Sequence, residues 1–329
     1  MPPANHNRDL TLAYVTFRPN PKLEWWLDSL QWQADEIGAW PLIKRIVIVT
    51  PHKLDGDLVS RLILSPEFHF KDVAITWPCP GVWQGPHRLT KADYFDVANA
   101  RNTAIALAPT SHIVFSDDLS VLMPGWLQQV VDALNSEELS RKIVCGAYRK
   151  VNKLNVVDGK VASFEDHPPG VDHRTLLVRG SEPLPCRGQW AFGCSLMAPI
   201  EALLSVNGYD QDTGGLGYED VMLGQMLEKQ GYEFVFAPRM LTYESEELHH
   251  DASNPRYIRW DPGVSPNDKS HAMLSLVSSG RDFAPNYYGE CGGLRGLREH
   301  VLRGGEFPVI RNPQHEWFTG TPLKDLPLE

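Results

Sequence analysis

The sequence predicts an α/β protein in three layers, α/β/α, with helices on both faces of a mainly parallel sheet. Two observations carry that reading. Apolar runs of strand length alternate with amphipathic helical segments through roughly the first 120 residues, the pattern of successive βαβ units. In the second half, Asp158-Gly159 stands between alternating residues, a hairpin signal that adds antiparallel strands to the same sheet.

Taken in order, LTLAYVTF (Leu10 to Phe17) is a buried strand, and RPNP turns the chain. Leu23, Trp26, Leu27 and Leu30 recur at helical spacing, giving an amphipathic first helix. IKRIVIVT (Ile43 to Thr50) is a second strand, Asp57 to Leu64 a short helix, and Val73 to Trp77 a third strand. After the irregular PCPGVWQGPHRLT comes a helix from about Tyr94 to Leu107, then a strand from His112 to Phe115. Met123-Pro124-Gly125 opens another helix, followed by the strand KIVCGAYRKV. QWAFGCSLM (Gln189 to Met197) is strand-like, and Pro199 to Val206 a short helix. A glycine-rich loop then leads into a helix with Met222, Leu223, Met226 and Leu227 on one face, and on to the strand YEFVF. Beyond residue 255 the chain is rich in Pro, Gly and His, with a helical pattern only near His271 to Val277.

Composition narrows the function classes. The 329 residues are 42% hydrophobic and 22% charged, ordinary for a folded soluble protein. A net charge of -10 argues against a nucleic-acid-coating surface. Five scattered cysteines (79, 145, 186, 194 and 291) form no CxxC pair, so neither a disulfide framework nor a zinc ribbon is expected. MPPANHNRDL lacks the apolar core of a signal peptide, and no stretch reaches transmembrane length, so a cytoplasmic location is expected.

Ligands of parallel α/β sheets bind beyond the carboxyl ends of the strands. Thr16-Phe17-Arg18, Thr50-Pro51-His52 and Asp117-Asp118 all fall at such ends. Hard oxygen ligands there suit Mg²⁺ or Mn²⁺ bridging a diphosphate; the other reading is that the aspartates cap the following turn. A second centre is Gly217-Tyr218-Glu219-Asp220, where two acids open a helix. They are either a charge device at the helix start or a general base with its neighbour. A third is ESEELHHDASNPR, whose adjacent His249 and His250 would face opposite ways on a strand. One of them as a metal ligand and a solvated loop are the two readings there.

Three stretches then carry a resemblance: Ala98-Asn99-Ala100-Arg101-Asn102-Thr103, the strand VFSDD, and NGYDQDTGGLGYEDVMLGQML, which is similar to a "GFDE…GxEDxxLxxRL" signature. Over roughly residues 10 to 255 the chain resembles the GT-A glycosyltransferases, family-2-like inverting enzymes with a galactosyltransferase-type C-terminal motif. The resemblance implies the GT-A fold, with a nucleotide-sugar-binding half over 10–125 and an acceptor and catalytic half over 126–255. Together these make a catalytic domain over 1–255, followed by an extension of unknown role over 256–329. It implies that Thr16 and Arg18 line the nucleotide pocket, with Arg101 and Asn102 near the nucleotide and diphosphate. The resemblance also implies that Asp117 and Asp118 occupy the metal-binding D-x-D region for Mn²⁺ or Mg²⁺, completed by His249 or His250. On the same resemblance Tyr218 and Glu219 would touch the acceptor or donor sugar, Asp220 would be the catalytic base, and Trp190 would shape the acceptor floor.

Two departures stand out. The text is Ser116-Asp117-Asp118-Leu119: a first ligand at Asp117 puts Leu119 where the second would be, a last ligand at Asp118 puts Ser116 where the first would be, and counting back from Pro124-Gly125-Trp126 favours the former. The second strand ends in Thr50-Pro51-His52 rather than an acid, which leaves the donor's base open. The expected reaction is transfer of a sugar from a nucleoside diphosphate sugar, a UDP-sugar first among them, with inversion. A nucleotidyltransferase would want a glycine-rich, basic loop after the first strand, where this chain has RPNPKLEWW. A metal-dependent hydrolase gives no reason for the Arg101-Asn102 helix, and a non-catalytic carbohydrate- or nucleotide-binding protein is the rival from another class. The acceptor (a glycan, a lipid-linked sugar, a protein or a modified nucleic-acid base) and the oligomeric state stay open.

Overall fold

Every position of β1 (Leu10–Val15) is buried, which places it inside a sheet rather than at an edge. In the computed structural model, which describes residues 8–64, 72–78, 96–166, 180, 182–213, 218–249 and 278–307, it pairs in parallel with β2 (Ile43–Val49) and β4 (His112–Asp117). β2 in turn pairs in parallel with β3 (Val73–Thr76). The remaining strands are β5 (Ser120–Leu122), β6 (Ile143–Val157), β7 (Lys160–Asp166), β8 (Leu184–Cys186), β9 (Ser195–Pro199) and β10 (Phe234–Ser245). They extend the sheet in the order β3-β2-β1-β4-β9-β6-β10-β5, with β7 on β6 and β8 on β10. β9 is antiparallel to both β4 and β6, and β10 is parallel to β6, so β6 and β10 run the same way as β4. Their carboxyl ends therefore open on one side of the sheet.

The two-residue period of the strands divides the core. Leu10, Leu12, Tyr14, Ile46 and Ile48 pack under α1 (Leu23–Ile37) and α4 (Trp126–Asn135), through Trp26, Leu27, Leu30, Trp126 and Val130. Ala13, Val15, Val47 and Val49 face the other way, toward α3 (Val97–Leu107), α5 (Ile200–Ser205), α6 (Glu219–Lys229) and the helix Leu294–Leu302. α2 (Gly56–Leu64) adds Leu62 to the first face. The expected three layers are present. α3 is buried along Ala98 to Ala106, and its alanines let it lie close to the sheet while Asn99, Arg101, Asn102 and Thr103 carry polar groups inward.

The Asp158-Gly159 hairpin forms as expected, with φ of 50° and 69° at its two turn residues. A Cβ on Gly159 would lie 2.3 Å from the Ser29 nitrogen, so the turn is seated directly on α1. Elsewhere the sequence reading is corrected. Gln189 to Met197 is not one strand: a helical turn at Gly188–Trp190 precedes β9. The bend brings Gly188 against the backbone of Gly224 in α6, where a Cβ would lie 2.2 Å from its carbonyl oxygen. β5, β8 and the helix Leu294–Leu302 were not expected, and the pattern near His271 to Val277 lies outside the described residues. Among those residues no helix is long and apolar enough to cross a membrane.

Candidate active site

Four elements converge at the carboxyl edge of the sheet, and Arg101 joins three of them. From the buried face of α3 its Nη2 donates to both oxygens of Asp117 at the end of β4, at 3.0 and 3.2 Å. Its Nη1 donates to Glu219 Oε1, at the start of α6, at 2.8 Å. The guanidinium also lies 5.3 Å from the Tyr209 ring centroid, and the residue is only 2% exposed. Gly193 makes its seat: a Cβ there would stand 1.9 Å from Arg101 Cζ. Sequence reasoning missed this glycine, although a lone glycine in a strand-like run is the usual mark of a close approach.

Asp118 points elsewhere. Thr16 Oγ1 donates to its Oδ2 at 2.6 Å and Arg18 Nε to its Oδ1 at 3.3 Å, while Arg18 N–H donates to Thr16 Oγ1. All three residues are buried, so Thr16 and Arg18 tie the β1 and β4 ends together. Asn102 is likewise spent: its side chain accepts from Tyr209 N–H and donates to Tyr209 O, both at 2.8 Å. Trp190 is half-buried and meets Phe236 edge-on, with centroids 5.5 Å apart. Tyr218 caps α6 in the left-handed region at φ 69° and is 51% exposed. His249 closes the short helix Glu246–His249; its side chain, all of His250 and the loop 214–217 lie outside the described residues.

Asp220 follows Glu219 in the first turn of α6. Its Oδ1 accepts from Val221 N–H at 2.8 Å. Burial, then the Glu219 carboxylate, push its pKa up to about 7, against the pull of Arg101. Burial also raises the pKa of Asp117 from its ordinary value, against the pull of its ion pair with Arg101.

Among the described residues, the carboxylates at the end of β4 do not by themselves make a donor set for a divalent cation. Asp117, its side chain 31% exposed, already carries a guanidinium on both oxygens. Asp118 is committed to Thr16 and Arg18. Leu119, where a D-x-D pattern would place the second ligand, is fully buried at φ 57°, its N–H bonded to Pro21 O. Among the described residues no group of three or more His, Cys, Asp or Glu is placed to hold a metal ion.

Asp96, the N-cap of α3, was also missed; an acid just before a helix is its sequence signal. Its Oδ1 accepts from Ala98 N–H at 2.9 Å, while Oδ2 is buried with no hydrogen-bond partner among the described residues. Burial raises its pKa from 3.8 to about 7. The folded carboxyl therefore keeps its proton to about pH 7 and the unfolded one loses it near 3.8, so stability falls as pH rises between those values and then levels. Asp96→Asn keeps the acceptor for Ala98. It is expected to remove that fall and add on the order of 1–3 kcal/mol at pH 8. Denaturant melts at pH 5 and 8 check this; identical pH dependence in the two proteins would refute it.

Comparison with known proteins places this geometry in a fold. No family model matches the chain, and no curated protein matches it. Solved structures do. S. aureus TarS 1-349 matches with a TM-score of 0.52 at 11% identity, over 83% of this chain and 65% of that one. GalNAc-T7 with UDP, GalNAc and Mn²⁺ matches with a TM-score of 0.52 at 12% identity, over 86% of this chain and 48% of that one. The chain has the GT-A fold. TarS 1-349 in complex with UDP-GlcNAc gives the same result, with a TM-score of 0.53 at 13% identity over 83% and 66%. This GT-A chain spans between 48% and 66% of the length of those chains. At the GT-A carboxyl edge stand Arg101, Asp117, Glu219 and Asp220.

Proposed function

We propose that this chain is an inverting glycosyltransferase, moving a sugar from a nucleoside diphosphate sugar to an acceptor hydroxyl with Asp220 as general base. The observation that carries the reading is Asp220 itself, a carboxylate at the head of α6 with its pKa near 7, beside Arg101 and Asp117. A helix start ordinarily lowers a carboxylate's pKa; burial and Glu219 overcome that here. A base poised near neutrality takes a proton well at cellular pH. The UDP-GlcNAc bound to TarS and the UDP and GalNAc held by GalNAc-T7 support a UDP-sugar as the donor.

In this reading Asp220 accepts the proton of the acceptor hydroxyl as that oxygen attacks the anomeric carbon. The new C–O bond forms opposite the breaking bond to the diphosphate, through an oxocarbenium-like transition state. The proton ends on Asp220, and the bonding pair leaves with the diphosphate. Arg101, held by Asp117 and Glu219, is a fixed positive charge that needs no rearrangement during the reaction. Tyr218 is presented to the acceptor or donor sugar, and Trp190 to the acceptor side. A glycan or another hydroxyl compound is the acceptor class.

None of these steps passes through a metal ion. A divalent ion would stabilise the departing diphosphate, but Asp117 and Asp118 are already taken up by Arg101, Thr16 and Arg18. UDP affinity is therefore expected to change less than about 3-fold between EDTA and Mn²⁺, measured by calorimetry. A larger gain with Mn²⁺ would reverse this assignment and bring His249 and His250 back as ligands. The function itself is tested with a panel of nucleotide sugars, reading thermal stabilisation and release of the nucleoside diphosphate. At least one donor should do both; no response from any donor would sink the transferase reading.

A further inference from the structure

The segment C-terminal to everything the family resemblance covers is built into this site. In residues 207–213, the stretch leading to α6, three backbone polar groups are met by Asn286. Asn286 Nδ2 donates to Asn207 O at 2.8 Å and Tyr209 O at 2.6 Å, and its Oδ1 accepts from Gln211 N–H at 3.2 Å. Asn207, left-handed at φ 62°, donates from Nδ2 to Ala284 O and Asn286 O, and its Oδ1 accepts from Leu294 N–H at 2.7 Å. Arg281 pairs with Asp210, which is fully buried. Ala284, Tyr288, Leu294 and Leu297 lie in the same apolar cluster as Leu223, Met226 and Leu227 of α6.

Gln211 is the joint. Its Nε2 donates to Asn99 Oδ1, on the helix that carries Arg101, at 3.0 Å, and to Tyr288 Oη at 2.8 Å. From the other side Asn102 grips the Tyr209 backbone. Gly208, at φ 79°, leaves no slack: a Cβ there would lie 2.4 Å from both Asn102 Oδ1 and Leu294 Cδ2. One amide thus spans the arginine-bearing helix, the loop before Asp220 and the C-terminal segment. A chain merely draped over the surface would not bury paired polar groups in this way.

We propose that residues 281–294 are a positioning element of the active site, setting through Gln211, Asn286 and Tyr288 where the start of α6 stands relative to Arg101. The proposal rests on the reading of Asp220 as the base. Tyr288 and Asn286 are positioning residues, since they act through the loop 207–213. Reacting groups displaced by about 1 Å typically lose about 100-fold in rate, so the element's signature is a kcat effect without a donor-binding effect.

Tyr288→Phe keeps the ring in the core and removes only the oxygen that accepts from Gln211; Asn286→Ala removes the backbone clamp. In the full chain, amide hydrogen exchange is expected to speed up in peptides over 207–222 while those of β1 and β4 stay unchanged. With the best donor, kcat is expected to fall about 10–100-fold at a UDP affinity within about 2-fold of wild type. Faster exchange confined to 281–294, or an unchanged kcat in a protein that only melts earlier, would overturn the proposal. A wild type that binds no nucleoside diphosphate would sink the transferase reading separately, and the exchange pattern over 207–222 would then decide the positioning alone.

Discussion

Asp220→Asn is expected to lower sugar transfer about 10²–10⁴-fold, the usual contribution of a general base, while UDP affinity stays within about 2-fold. Asparagine matches the carboxylate in shape and keeps the oxygen that accepts from Val221 N–H, so α6 should start unchanged. What it lacks is the capacity to take a proton. Single-turnover transfer and calorimetric UDP binding separate the two effects. Full transfer by the variant would remove Asp220 as the base, and binding without any turnover in the wild type would favour a non-catalytic carbohydrate-binding protein.

The pH profile carries the same test further. A pKa of about 7 means that Asp220 is protonated, and idle as a base, below neutrality. Transfer should rise with pH and level off above about 7, and the residual activity of Asp220→Asn should lack that limb. Glu219→Gln weakens the carboxylate that raises Asp220, so the limb should move to lower pH. It also loses the charged partner of Arg101 Nη1. The direction of the limb therefore distinguishes electrostatic tuning from simple damage to the site.

Much of the scaffold was legible because parallel strands buried on both faces read as near-continuous apolar runs. LTLAYV and IKRIVIV are of that kind, and the alanines of α3 mark a helix pressed against a sheet. The Asp158-Gly159 turn was legible because few dipeptides tolerate its two positive φ angles. β5 and β8, at three residues each, were not, since their pairing with β10 defines them rather than any period of their own. Leu294–Leu302 was hidden by Gly296 and its glycine-rich flanks.

For the site, residue types could be read but partners could not. Arg101 and Glu219 lie 118 positions apart and Gln211 and Tyr288 77 apart, distances at which no periodicity operates. Asn102 shows the consequence. Its place beside Arg101 pointed to the donor, whereas its amide is consumed by the Tyr209 backbone. Leu119 shows the reverse case, where the departure from D-x-D was visible in the text and its burial gives that departure a physical meaning.

Gly193→Ala is expected to damage the site through a single added methyl group. The new Cβ would stand 1.9 Å from Arg101 Cζ, 2.1 Å from Nη2 and 2.4 Å from Nη1, so the guanidinium must leave its seat. Arg101 is almost wholly buried, and the displaced group takes with it the ion pairs to Asp117 and Glu219. Breaking a buried pair strands the partner charge at a cost of about 3–5 kcal/mol, and transfer should fall at least about 100-fold with it. Arg101→Lys should recover little, because a point charge cannot bridge two carboxylates as the planar fork does. The double variant Gly193→Ala with Arg101→Ala decides the cause. If the methyl acts by evicting the guanidinium, it should add less than about 0.5 kcal/mol of destabilisation once that guanidinium is absent. Strict additivity in denaturant melts would mean that Gly193 serves the backbone bend before β9 instead, and that Arg101 keeps its place without it.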